Sequence, residues 1–179
     1  MTRRTTTTTL MSMALLCLAV SLPESSAVAQ QKQQVSVKVP AENNKYGPQQ
    51  NIQVGDVPNH IVRVFEVHYS FTANAPSING LKLVEAWQRG LADVSDGAGS
   101  TSSYYVYAVE NGDKFFVRSA AVIQPGTAGK LTATAVGHIT GGTGKLAGIQ
   151  GIARTLASFD PIAGTLGENE ANIEYTMGK

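Results

Sequence analysis

The stretch Tyr104–Ile123 reads YYVYAVENGDKFFVRSAAVI, and its reading decides the fold. Two arms rich in β-branched and aromatic residues, Tyr104–Glu110 and Lys114–Ile123, flank Asn111-Gly112-Asp113. An Asn-Gly step between two such arms supplies the positive φ that a tight hairpin turn needs. Gln124-Pro125-Gly126 ends the second arm. Tyr105, Tyr107 and Phe115 fall on one parity, the period-two signature of a strand with a buried face.

The same texture extends both ways. In Ile61–Thr72 (IVRVFEVHYSFT), Phe65, Val67, Tyr69 and Phe71 share one face, and Glu66, His68, Ser70 and Thr72 the other. Leu81–Gln88 (LKLVEAWQ) fits either period and is taken as a strand because Asn79-Gly80 and Gly90 bound a short element. Asp93–Ser103 (DVSDGAGSTSS) reads as a loop by composition. Lys130–Thr140 alternates again, and Ile149–Phe159 and Asn172–Met177 complete the series. Upstream of Ile61 the chain is polar and broken by Pro40, Pro48 and Pro58. Only Val35–Val39 alternates there, as a first or edge strand, and the rest of residues 30–59 reads as extended loop.

Eight candidate strands, counting Val35–Val39, joined mainly by short turns and with no three-turn amphipathic helix after Pro58, predict an antiparallel all-β fold with its barrel domain at residues 60–179. Strands of about 8–11 residues suit an eight-stranded closed β-barrel, and closure removes exposed edges. The expectation is such a barrel, with the odd-numbered side chains from Ile61 onward pointing at its axis.

Residues 1–29 read as an address. Arg3 and Arg4 precede the apolar run Leu10–Val20, and Ala27-Val28-Ala29 follows Pro23. A positive start, a short apolar segment and an A-x-A end form a secretory signal peptide, cleaved after Ala29. The run is shorter than the roughly 20 apolar residues a membrane span needs. The expected location is therefore periplasmic or secreted, with no membrane insertion of the mature chain. Cleavage leaves residues 30–179, with 12 basic and 12 acidic residues and without Cys17, the single cysteine. No disulfide, thiol nucleophile or thiolate metal site is then open to it. The full chain carries a formal charge of only +1, without the basic excess of a nucleic-acid binder.

Thr140-Gly141-Gly142-Thr143-Gly144-Lys145-Leu146 superficially suggests a phosphate loop. A P-loop needs Gly where Ile139 stands and Ser or Thr where Leu146 stands. The segment also joins two strands rather than opening a helix, so a glycine turn is the better reading. Continued to Gly151, it resembles the glycine-rich hairpin of the allene oxide cyclase and dirigent β-barrel superfamily, and looks most like its small exported bacterial members. That resemblance implies a closed eight-stranded barrel with an internal cavity, assembled into a homodimer or homotrimer. Plant members either cyclise an unstable fatty-acid epoxide or orient the coupling of phenoxy radicals. Both activities shape a reactive ligand inside an apolar cavity. The matched residues are turn residues, so no catalytic role carries over.

His60, His68 and His138 show no metal-ligand spacing, and neither a metal nor a cofactor is expected. Glu66 and His68 share one strand face and are the candidates for acid–base chemistry; Glu85, Glu110 and Glu174 lie on faces read as polar. The ligand-binding candidates are Phe65, Val67, Tyr69, Phe71, Trp87, Tyr105, Tyr107, Phe115 and Tyr175, which line the interior if their parity faces inward. Three functions are consistent with this pattern. The first is an exported barrel that binds a small apolar or aromatic molecule without catalysis. The second is an allene-oxide-cyclase-like isomerase or a dirigent-like orienting protein. The third is a structural barrel with a filled core.

Overall fold

The computed structural model describes residues 31–72, 74–160 and 164–178. The expected signal peptide lies outside the described residues. The described residues form ten strands: β1 (Gln33–Val39), β2 (Asn44–Gln53), β3 (His60–Ser70), β4 (Ser77–Ile78), β5 (Leu81–Ser95), β6 (Ala98–Val109), β7 (Lys114–Pro125), β8 (Leu131–Gly142), β9 (Ile149–Asp160) and β10 (Thr165–Met177). They pair antiparallel in the order β1-β10-β9-β8-β7-β6-β5-β3-β2, with the two-residue β4 attached to β5.

This corrects the expected eight-stranded closed barrel. The ladder runs through nine strands, with β4 off its path, and has two ends, β1 and β2, which do not pair with each other. Residues 44–53, read as loop, form the end strand β2 on β3. Its sequence explains why pairing stops there. Pro48 has no N–H to donate, and the register slips between Tyr46 and Gln49. Where β2 begins, a side chain makes the link to β10: Asn44 Nδ2 donates to the Gly167 carbonyl at 2.7 Å.

The turns follow local chemistry. The β6–β7 hairpin forms as read, with Gly112 at φ 86° and its N–H donating to the Val109 carbonyl at 2.8 Å. Asp96-Gly97 forms a second tight hairpin, with φ of 51° and 81°, a pair of left-handed residues suited to the strands' twist. Asp93–Ser103 is therefore not a loop. It is the end of β5, a two-residue turn and the start of β6.

One face of the sheet gathers the apolar residues, as period-two alternation requires. Val67, Tyr69, Tyr105, Tyr107, Phe115, Ile139, Ile149, Ile173 and Tyr175 are buried together with Val37 and Val39 of β1. Residues far apart in the ladder order meet on this face. Tyr175 of β10 accepts from the Asn79 backbone N–H, in the β4–β5 turn, at 2.8 Å, and also donates to Gln33 of the adjacent β1 at 2.6 Å. A smaller cluster of Ala92, Val94, Ile123 and Leu131 lies towards the Asp96-Gly97 hairpin.

The odd-parity rule holds for β3, β6 and β7 but breaks in β5. The β5–β6 register shifts between Leu83 and Glu85. Leu83 is buried before the shift; Ala86, Gln88, Ala92 and Val94 are buried after it. A bulge inserts one residue, and one residue reverses every later side chain on the strand.

The glycine turn Gly142–Leu146 locks one end of the core. Thr143 Oγ1 accepts from the Lys114 N–H at 2.9 Å, and Asp113 Oδ2 accepts from the Lys145 N–H at 2.9 Å. These bonds seat Leu146, which is fully buried beside Ile78 and Ile149. A Cβ at Gly144, whose φ is +52°, would fall 2.0 Å from Asp113 Oδ1, so no other residue fits that position without displacing the contact.

Candidate functional site

A cavity of about 830 Å³ opens on the buried face, lined from β2, β3 and β5–β10. Its size falls within the range of small-molecule sites. One wall is mostly apolar, with Ala121 and Ile123 of β7, Leu131, Ala133 and Ala135 of β8 and Ala157 and Phe159 of β9, interrupted by Ser119, Thr155 and Asp160. The opposite wall is polar: Tyr46, Gln49, Asn51 and Gln53 of β2, with Arg63 of β3. Short alanines on three neighbouring strands make the space, because each leaves volume that a larger core residue would fill.

The inner end is built on the aromatic stack. Tyr107 lies on Phe115 with ring centroids 4.6 Å apart and planes 4° from parallel, and Tyr105 follows Tyr107 at 5.9 Å. Tyr69 stands 6.3 Å from Tyr105 and donates to Gln88 Oε1 at 2.5 Å. Gln88 Nε2 donates in turn to Ser103 Oγ at 2.9 Å. Burial pushes the Tyr69, Tyr105 and Tyr107 hydroxyls far above the usual phenol range. Loss of solvation penalises phenolate, so these groups remain neutral hydrogen-bonding partners. Tyr46 is likewise raised by burial, with the Arg63 charge opposing the shift.

Phe65 lies over Gly90, its partner across β3 and β5, where a Cβ would come within 2.7 Å of the ring. The glycine therefore lets the phenyl ring settle against the sheet and form part of the wall. At the mouth, Asn59 donates to Asp96 at 2.8 Å. His60 beside it contacts Asp56 through Nδ1 at 2.6 Å and Asp93 through Nε2 at 2.7 Å. An imidazole with a carboxylate on each nitrogen needs both protons, and these hydrogen bonds, first that to Asp93, hold the His60 pKa above its ordinary value.

The nine ligand-binding candidates divide into three groups. Phe65, Val67, Tyr69 and Tyr105 line the cavity. Phe71, Tyr107, Phe115 and Tyr175 belong to the packed core. Trp87 is a correction: the β5 bulge turns it to the opposite face, where it stacks on His68 at 4.2 Å under the Arg89 guanidinium. Glu66 and His68 are also on that face. Glu66 pairs with Arg89 at 2.7 Å, and His68 Nε2 contacts Glu85 at 2.9 Å. The acid–base candidates thus form a cross-strand cluster away from the cavity. Among the described residues no group of three or more His, Cys, Asp or Glu is placed to hold a metal.

Sequence reasoning missed Arg63, Gln88 and the β2 residues. Arg63 was readable: extending the Phe65–Tyr69 parity back two residues puts it on the buried face. Gln88 reaches that face only through the bulge.

Searches by sequence against protein families and characterised proteins find no match. Among solved structures, the pterocarpan synthase dirigent protein PsPTS1 superposes with a TM-score of 0.53 at 12% identity, covering 83% of this chain and 97% of that one. A second pterocarpan synthase dirigent protein, GePTS1, superposes less well, with a TM-score of 0.47 at 12% identity over 94% and 98% of the two chains. This chain therefore shares the fold of a dirigent protein, over nearly that protein's whole length.

Proposed function

We propose that the protein binds a small aromatic molecule in the cavity and fixes its orientation while the molecule reacts, as a dirigent-like protein. The observation that carries this reading is the cavity's construction: a mostly apolar wall faces a polar one, and Tyr69, Gln88 and Ser103 form a fixed hydrogen-bond chain at the inner end. An aromatic ring seated against the alanines would turn its polar substituents towards that chain and the polar wall. Such a site lowers the entropy of reaching one reactive geometry without forming a bond to the ligand. The shared fold supports the orienting reading over simple carriage. The placement of Glu66 and His68 on the other face argues against a cyclase that uses either as its base.

The test uses two phenols whose radicals couple to racemic products in free solution, 4-hydroxy-3-methoxycinnamyl alcohol and the corresponding acid. Each is oxidised by a laccase with and without the protein, and the dimers are separated by chiral chromatography. Unequal enantiomers from either substrate are expected. Racemic product from both at saturating protein refutes the orienting role.

We also propose that the chain is exported with cleavage after Ala29. The mass of the protein recovered outside the cytoplasm tests this: a chain beginning at Gln30 is expected, and an uncleaved chain refutes it.

A further inference from the structure

We propose that the cavity is selective for an aromatic anion, whose acidic group is held by Arg63. This rests on the cavity-binding reading above and adds the chemical class of the ligand.

Arg63 stands on the buried face of β3 between Ile61 and Phe65, and all three line the cavity. Its Nε donates to Asn51 Oδ1 at 2.7 Å. That bond aims the guanidinium and leaves its two terminal nitrogens, with four N–H donors, unpaired among the described residues. The contrast with the other arginines of the sheet is informative. Arg89 is paired with Glu66, Arg154 with Glu174, and Arg118 lies over Tyr104. Each of those is on the opposite face. Arg63 alone among them faces a cavity, and its fixed partner is a neutral amide rather than a carboxylate.

The neighbouring acids do not fill that role. Two acids line the cavity with it: Asp96 accepts from Asn59 at the hairpin tip, and Asp160 at the end of β9 is engaged elsewhere, so neither pairs with Arg63 among the described residues. Arg63 is level with Ala92, and His60 is level with Ser95. Arg63 therefore sits three residues, roughly 10 Å, farther in than the tip. Tyr46 adds a neutral hydroxyl to the same wall, close enough for the Arg63 charge to act on it. The planar fork of an arginine matches a carboxylate or sulfonate with two parallel hydrogen bonds. The alanines of β8 and β9 across the cavity accept the flat apolar body. Arg63 is half-buried and its free fork is hydrated; a neutral ligand seated against it would displace that water without replacing its hydrogen bonds, which sets the selectivity.

Two dyes with the same arylnaphthylamine body separate charge from shape. One, 8-anilinonaphthalene-1-sulfonate, carries an anion, and the other, N-phenyl-1-naphthylamine, does not. Fluorescence titration of residues 30–179 is expected to show the sulfonate bound about tenfold more tightly than the neutral dye. Arg63→Gln is expected to abolish that preference and leave neutral-dye affinity within about twofold, while Arg63→Lys retains part of it. Ala135→Trp, which fills the cavity, is expected to weaken both dyes. Binding of both dyes with equal affinity, or an Arg63→Gln variant that loses both alike, overturns the selectivity but not the cavity reading. Binding of neither dye, or binding that survives Ala135→Trp, overturns both.

Discussion

Replacement of Tyr69 by phenylalanine isolates the hydrogen-bond chain at the inner end of the cavity. Tyr69 and Gln88 are both buried, and the hydroxyl donates to Gln88 Oε1 at 2.5 Å. Tyr69→Phe keeps the ring and its stacking distance to Tyr105, but leaves the buried Gln88 carbonyl oxygen without its donor at the inner end of the cavity. A buried acceptor left without a donor costs about 1–3 kcal/mol, more than the bond itself contributes net. Gln88→Leu removes the acceptor of the Tyr69 hydroxyl and the donor to Ser103 Oγ, and costs a similar amount, about 1–3 kcal/mol. The double variant strands neither atom of the pair, so its cost is expected to fall short of the sum of the singles by about 1–2 kcal/mol. Urea unfolding followed by circular dichroism measures all three. The orienting function adds a second readout: Tyr69→Phe is expected to lower the enantiomeric excess of the coupling reaction. Strictly additive costs, or a Tyr69→Phe variant as stable as the parent, would refute the claim that these side chains form one preorganised chain.

The β5 bulge separates two aromatic residues that look alike in sequence. Phe115→Ala is expected to cost about 3–5 kcal/mol, because the ring is wholly buried and stacked on Tyr107. Trp87→Ala, on the half-exposed opposite face, is expected to cost about 1 kcal/mol or less. Equal losses on thermal unfolding would place Trp87 in the core and remove the bulge from the argument. The mouth responds to pH through His60. Its pKa is raised, so its contribution is fully present below about 6.5 and is lost as pH rises through the higher folded value. Asp56 is lowered, first by its hydrogen bond to His60, so its contribution is present above its unfolded value and lost as pH falls through the lower folded one. The clamp is strongest between those limits. Titration of the His60 ring by NMR is expected to give a midpoint above that of a free histidine; a midpoint at or below it contradicts the double-carboxylate geometry. The stability difference between the parent and His60→Gln is expected to shrink from pH 5.5 to pH 9.

The residues that alternate strictly were legible without coordinates. β3, β7 and β8 follow from period-two runs, and the β6–β7 hairpin follows from Asn111-Gly112, because side-chain parity and positive φ are local properties. Four aromatic or apolar residues predicted for the interior, Phe65, Val67, Tyr69 and Tyr105, do line it. The Asp96-Gly97 hairpin had an equally clear local signal, obscured by the small polar residues around it. Those serines and glycines suit the narrow sheet surface there but suggest a loop by composition.

Three features depend on the assembled molecule. Whether the sheet closes depends on the last pairing between distant strands, and Pro48 with the adjacent register slip acts only once β2 is docked on β3. The side on which Trp87 and Gln88 fall depends on a bulge in β5 that is set by the register with β6. The cavity depends on which alanines from β7, β8 and β9 come to face Arg63, Phe65 and Tyr69. Alternation along a strand is local chemistry and can be read one residue at a time. Registers, strand ends and enclosed space arise from pairings across the chain, where a shift of one residue exchanges the two faces.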